Sequence, residues 1–217
     1  MSSKKEISCL IIMLFVVTQF ETTTNALPAG AMEGWAGTAD FEYYGPDGRS
    51  LTGQIDYAVY RVENYGGSPP LGGDYIYAYK IINSGSSTVS INSFSVAILQ
   101  GAEVGNINWD DYEASDGIEP FFEYFSPSPQ SPQSAEFLFI AGTTGLVESG
   151  LHSVNLLFSS NYGPTEGFAV MTGGGIGGPI ETVPTPVPEP ATLVLLAAGG
   201  LIIFTQKKAV KDRKIEV

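Results

Sequence analysis

Thiol chemistry is the first thing this 217-residue chain excludes. It holds a single cysteine, Cys9, inside an N-terminal segment that reads as removable. Once that segment is gone, neither a disulfide nor a thiolate metal site can form, and the domain must rest on its core alone. Histidine is as scarce: His152 is the only one, so a site built on several imidazoles is ruled out. Set at a predicted strand start with no nucleophile motif around it, His152 reads as a structural surface residue rather than part of a triad. Cations are missing from the middle. Between residues 27 and 186 only Arg49, Arg61 and Lys80 stand against eighteen Asp and Glu, a net of about −15 by counting (3 − 18). Such a body repels phosphate backbones, so nucleic acid is excluded as a partner. Helical periodicity is also wanting, since no window of the body shows an apolar stripe at 3.6-residue spacing.

What is present is strand after strand. Residues 54–64 (QIDYAVYRVEN) and 74–83 (DYIYAYKIIN) are rich in Tyr, Val and Ile and alternate with period two. Residues 87–99 follow after Ser84-Gly85-Ser86, a turn short enough for a hairpin. Further strands are predicted over 40–44, 118–125, 135–141, 152–159 and 167–171, separated by turn-forming clusters such as Gly45-Pro46-Asp47-Gly48 and Asp116-Gly117. The fold class expected is all-β, an antiparallel β-sandwich of immunoglobulin-like or jelly-roll type. The proline-rich stretch 126–134 (SPSPQSPQS) reads as an extended loop within the domain.

The two ends differ from the body. Lys4 and Lys5 precede an unbroken apolar run, 10–17, and then small polar residues with Thr24 and Ala26 at cleavage-site spacing. Residues 1–26 are therefore expected to be a signal peptide. The body then runs over 27–172, and 173–186 (GGGIGGPIETVPTP) reads as a glycine- and proline-rich linker. Gly173, Gly175 and Gly178 satisfy a Gly-x-Gly-x-x-Gly spacing, but Pro179 follows where a phosphate-binding helix would have to start.

Residues 187–217 form a three-part ending: Val187-Pro188-Glu189-Pro190-Ala191-Thr192, an apolar run from Ala191 to Phe204, and a tail with Lys207, Lys208, Lys211, Arg213 and Lys214. Fourteen helical residues reach roughly 21 Å, short of a ~30 Å hydrocarbon core unless flanking residues extend the span, here drawn as 191–206. The basic tail is expected to stay cytoplasmic, which leaves the acidic body outside. These residues resemble the PEP-CTERM sorting signal of Gram-negative, exopolysaccharide-producing bacteria. The resemblance implies processing by exosortase, an integral-membrane enzyme, through a membrane-anchored intermediate, and release to the cell surface or extracellular matrix. It covers only the last thirty or so residues and implies nothing direct about the body.

Two stretches of the body carry candidate binding chemistry. Residues 109–119 (WDDYEASDGIE) bring Asp110, Asp111, Glu113 and Asp116 close in sequence. The plain reading is a solvated acidic face; the alternative is a calcium site, because hard cations want several carboxylate oxygens. Tyr75, Tyr77 and Tyr79 alternate and so share one strand face. They either pack inside the sandwich or form an aromatic platform for sugar rings. The expected function is a non-catalytic, exported structural protein of the surface or matrix, associated with exopolysaccharide and needing no cofactor. A carbohydrate- or calcium-binding matrix module is the alternative, and a secreted hydrolase a more distant one.

Overall fold

A computed structural model of the chain describes residues 27–99, 102–112, 116–126 and 133–187. Ten strands make up almost all of its regular structure: β1 (Ala36–Tyr44), β2 (Ser50–Arg61), β3 (Tyr75–Asn83), β4 (Ser93–Ile98), β5 (Val104–Asp110), β6 (Phe122–Ser126), β7 (Gln133–Leu138), β8 (Asn155–Ser160), β9 (Pro164–Gly173) and β10 (Ile176–Pro186), with one 3-10 turn at Val62–Asn64. The described residues are thus all-β apart from one 3-10 turn. Two five-stranded antiparallel sheets form, in the orders β1-β2-β3-β8-β5 and β10-β9-β4-β7-β6.

Alternation decides which side chains meet between the sheets. In β3, Tyr77, Tyr79 and Ile81 point inward and are fully buried with Leu51, Ile55, Val59, Phe94, Val96, Phe137, Leu156, Phe158 and Met171. The Tyr77 and Phe158 rings stack with centroids 4.9 Å apart, and Tyr79 packs on Phe94 at 5.6 Å. Each such aromatic pair adds about 1 kcal/mol to the burial of its area. The alternate residues of β3, Ile76 and Ala78, face outward into a second, smaller cluster with Ala58, Tyr60, Tyr65 and Leu157. Leu27, Ala31 and Val62 pack over that cluster, so sheet one is buried on both faces at its centre.

Most predicted strands are found within a few residues of their expected bounds, but three features differ. The Ser84-Gly85-Ser86 turn does not close a hairpin: β3 and β4 lie in different sheets, and Ser84 N–H turns back to donate to the Thr52 carbonyl at 2.9 Å. The 126–134 loop is shorter than expected, because Ser126 and Ser134 are paired at the mouth of the β6–β7 hairpin. β5 is not among the expected strands. Its sequence, VGNINWD, alternates weakly, and its pairing with β8 shifts register between Val104 and Ile107.

The largest correction falls on residues 173–186, which are not a linker. They complete a hairpin in which β10 pairs with β9 from Ile176↔Gly173 to Pro186↔Pro164. Gly174 and Gly175 have φ of 55° and 79°, the two positive values that a tight hairpin turn requires at its centre. The glycines therefore make a turn rather than a tether. Pro179, Pro184 and Pro186 lack N–H donors, and β10 tolerates them because it is an edge strand. One further irregularity, at Thr182 with φ of 66°, marks a bulge between Glu181 and Val183 that turns the rest of the strand into the core. Val183 and Thr185 are fully buried beyond it. The ordered body thus runs to 187, not 172.

Candidate functional site

The tyrosine row of β3 is core, not platform. Tyr77 and Tyr79 have no exposed surface, and Tyr75 is half-buried beneath the Arg61 guanidinium, 4.3 Å from its ring centroid. Their hydroxyls find backbone acceptors: Tyr77 donates to the Tyr162 carbonyl at 2.8 Å and Tyr79 to the Pro184 carbonyl. Burial pushes both phenols well above the usual tyrosine range. A sugar ring cannot reach the Tyr77 and Tyr79 faces that Phe158 and Phe94 already cover, so of the two readings of Tyr75, Tyr77 and Tyr79 the structure shows packing inside the sandwich, not a sugar platform.

The acidic stretch divides into parts with different fates. Asp110 ends β5 on the outer side of sheet one, where it is buried and ringed by donors. Tyr65 Oη donates to its two oxygens at 2.9 and 3.0 Å, Asn155 Nδ2 and Tyr112 N–H to Oδ1 at 3.1 and 3.3 Å, and Ser68 N–H to Oδ2 at 3.1 Å. The carboxylate organises the 62–74 connection against β5 and β8. Gly67 fits beside it because a Cβ there would lie 2.2 Å from Oδ2. Burial first, and then the Asp110 charge, drive the Tyr65 phenol upward.

Asp111 is exposed, and Asp116 pairs across the loop with His152 Nε2 at 3.2 Å. Glu113 lies outside the described residues. Among the described residues no three His, Cys, Asp or Glu side chains converge on a cation-sized position. His152 is largely enclosed, its Nδ1 3.0 Å from the Ser153 carbonyl. Lys80, fully buried on the outer face of β3, has no acceptor for its Nζ among the described residues; burial lowers its pKa, opposed by the nearby Asp116 and Asp56 carboxylates.

Exposed aromatics are found where the sequence did not direct attention. Registered partners Phe122↔Leu138, Ser93↔Leu138 and Ser93↔Thr172 define one row on the outer face of sheet two, and Tyr124↔Glu136, Ser95↔Glu136 and Ser95↔Val170 define the next. Phe122 is 52% exposed, Tyr124 41% and Phe168 42%. Tyr124 Oη donates to Glu136 at 2.6 Å. Ser93 and Ser95 of central β4 lie on this same face, with β9 on one side and β7 and then β6 on the other. The signal for it was available: Phe122 and Tyr124 alternate with Phe125, which packs on the core, so one face of β6 had to be outward.

The remaining candidate begins at the end of β10. Pro184, Thr185 and Pro186 are buried, and Thr185 Oγ1 donates to the Ala97 carbonyl. Val187 is half-buried, and its N–H reaches the Gly163 carbonyl at 3.3 Å. Pro188, Glu189, Pro190, Ala191, Thr192 and the basic tail fall outside the described residues, as do the expected signal peptide and both long apolar runs. No described helix is long and apolar enough to cross a membrane.

Residues 186–208 match the family model of the PEP-CTERM protein-sorting motif. The chain therefore carries that signal, which implies export, processing by exosortase and a membrane-anchored sorting intermediate. No curated protein and no solved structure matches the chain.

Proposed function

We propose that this chain is a non-catalytic structural protein of the cell surface or extracellular matrix, delivered there by exosortase. The observation that carries the reading is the junction at residue 186. The sandwich closes on Pro186, and the sorting motif starts at that same residue. The described residues between the expected leader and the signal form one acidic fold, which makes the fold itself the cargo. Its charge suits a protein that must stay soluble once released among polymers. The test is the mass of the released protein. Its C-terminus is expected to fall near Pro188-Glu189-Pro190, without the residues from Thr192 onward. Replacing those three residues with alanine is expected to preserve export and trap the full-length chain in the membrane. Released protein that still carries the basic tail would overturn the reading.

A second reading rests on the outer face of sheet two. None of its five strands contains Lys or Arg, while Glu136 and Glu181 stand among Phe122, Tyr124 and Phe168. Aromatic faces beside hydroxyls and carboxylates suit a neutral glycan, since an anionic one would meet only like charge. Neutral polysaccharide in a native gel is expected to retard the protein, and Phe122→Ala with Tyr124→Ala to abolish the shift. Equal retardation of that variant and the parent would reject this face.

A further inference from the structure

The chain leaves the sandwich at one pole, and the connections at that pole are fixed by register. Tyr75 of β3 opposes both Arg61, the last residue of β2, and Ser160, the last of β8; Ser160 in turn opposes Val104, the first of β5. In sheet two, Pro186 opposes Pro164, and Ile98 opposes Gln133. The 62–74 connection, the start of the 99–103 connection and the exit at Val187 therefore share one end of the molecule. The turns at 45–49, 84–88 and 141–145 occupy the other.

At that exit pole two large apolar side chains are exposed. Leu71 is 75% exposed, the most exposed large hydrophobic residue described, and Leu99 is 38% exposed. Leu71 is also held firmly: its carbonyl accepts from Asn106 N–H at 2.9 Å and from Ser159 Oγ at 2.8 Å, behind the stiff pair Pro69-Pro70. An aliphatic side chain on a braced backbone, facing out, is an arrangement that water disfavours.

The length of chain beyond the fold says what faces this pole. Only four Cα steps separate Val187 from Ala191, the first residue of the apolar run, a reach of at most about 14 Å. While that run is in the bilayer, the exit at Val187 is held within about 14 Å of its first residue, close enough for the pole to reach the headgroup region, which is about 5–8 Å thick per leaflet. We infer that the exit pole docks on the bilayer interface in the anchored intermediate, with Leu71 and Leu99 entering the headgroup–acyl boundary. The inference rests on the anchored intermediate assumed under the proposed function. The lipid it fits is zwitterionic, because exposed Glu63, Asp74 and Glu103 at the same pole, on a body of about −15, oppose anionic headgroups.

The experiment uses the full chain with Cys9→Ser and one introduced cysteine, Leu71→Cys, Leu99→Cys or Ser86→Cys, bearing an environment-sensitive fluorophore. Each is reconstituted into phosphatidylcholine vesicles containing brominated acyl chains. The label at 71 or 99 is expected to be quenched at least twofold more than that at 86, on the far pole, and phosphatidylglycerol to reduce the difference. Equal quenching at 71 and 86, with protein floating alongside the vesicles, would overturn the docking and leave the sorting reading intact. Protein that fails to float would overturn the anchored intermediate and the docking together.

Discussion

Asp110 shows how a residue type can mislead about its role. Read as one of several clustered acids, it belongs to a solvated face or a cation site; in the fold it is a buried acceptor that ties Tyr65, Ser68, Tyr112 and Asn155 together. Asp110→Asn replaces one oxygen with an NH2 group among donors, leaving buried N–H and O–H groups unpaired. We expect it to lower stability by about 2 kcal/mol or more in urea unfolding. Asp111→Asn, at an exposed position, is expected to stay within about 0.5 kcal/mol of the parent. Equal effects from the two would remove the structural role argued for Asp110. Nothing in WDDYEASDGIE distinguishes the two aspartates, because their difference comes from Tyr65 and Asn155, each 45 residues away in sequence.

At the scale of elements, β10 is the informative case. Strands with strong alternation, such as β2 and β3, could be read directly, because Tyr, Val and Ile at period two fit few other structures. β10 hid behind its composition. Glycine and proline are the residues of tethers, and the same residues also make a tight turn and an edge strand; only the facing sequence of β9 decides between them. The tyrosine row was ambiguous between core and platform for a related reason. Alternation places Tyr75, Tyr77 and Tyr79 on one face but does not say whether another sheet covers it. A chain ending at residue 175 keeps everything the linker reading required, yet loses Ile180 and Val183 from the core and the acceptor of the Tyr79 hydroxyl. Two buried aliphatic side chains contribute roughly 1.5–3 kcal/mol each, a large part of a typical 5–15 kcal/mol margin. Residues 27–175 are therefore expected to lack a cooperative thermal transition, whereas 27–187 is expected to melt sharply. A sharp melt of the shorter chain at a similar temperature would show β10 to be dispensable.

For the whole molecule, the order of strands leaves β10 as the last piece added to sheet two and the first piece met from the membrane side. Its final residues are held three ways: by the ladder to β9, by the Tyr79 hydroxyl on Pro184 and by the Thr185 hydroxyl on Ala97. Suppose the anchored protein is gripped by surrounding polymer while the cell moves. Tension then enters at Val187 and runs along β10, nearly parallel to its own axis. Drawn lengthwise, the strand loads many rungs of its ladder at once, with two core hydroxyls resisting alongside them, instead of opening one rung at a time. The stretch that resembles slack in the sequence becomes the rivet of the assembly, and load entering at Val187 meets no loose segment among residues 173–187 before it reaches the core.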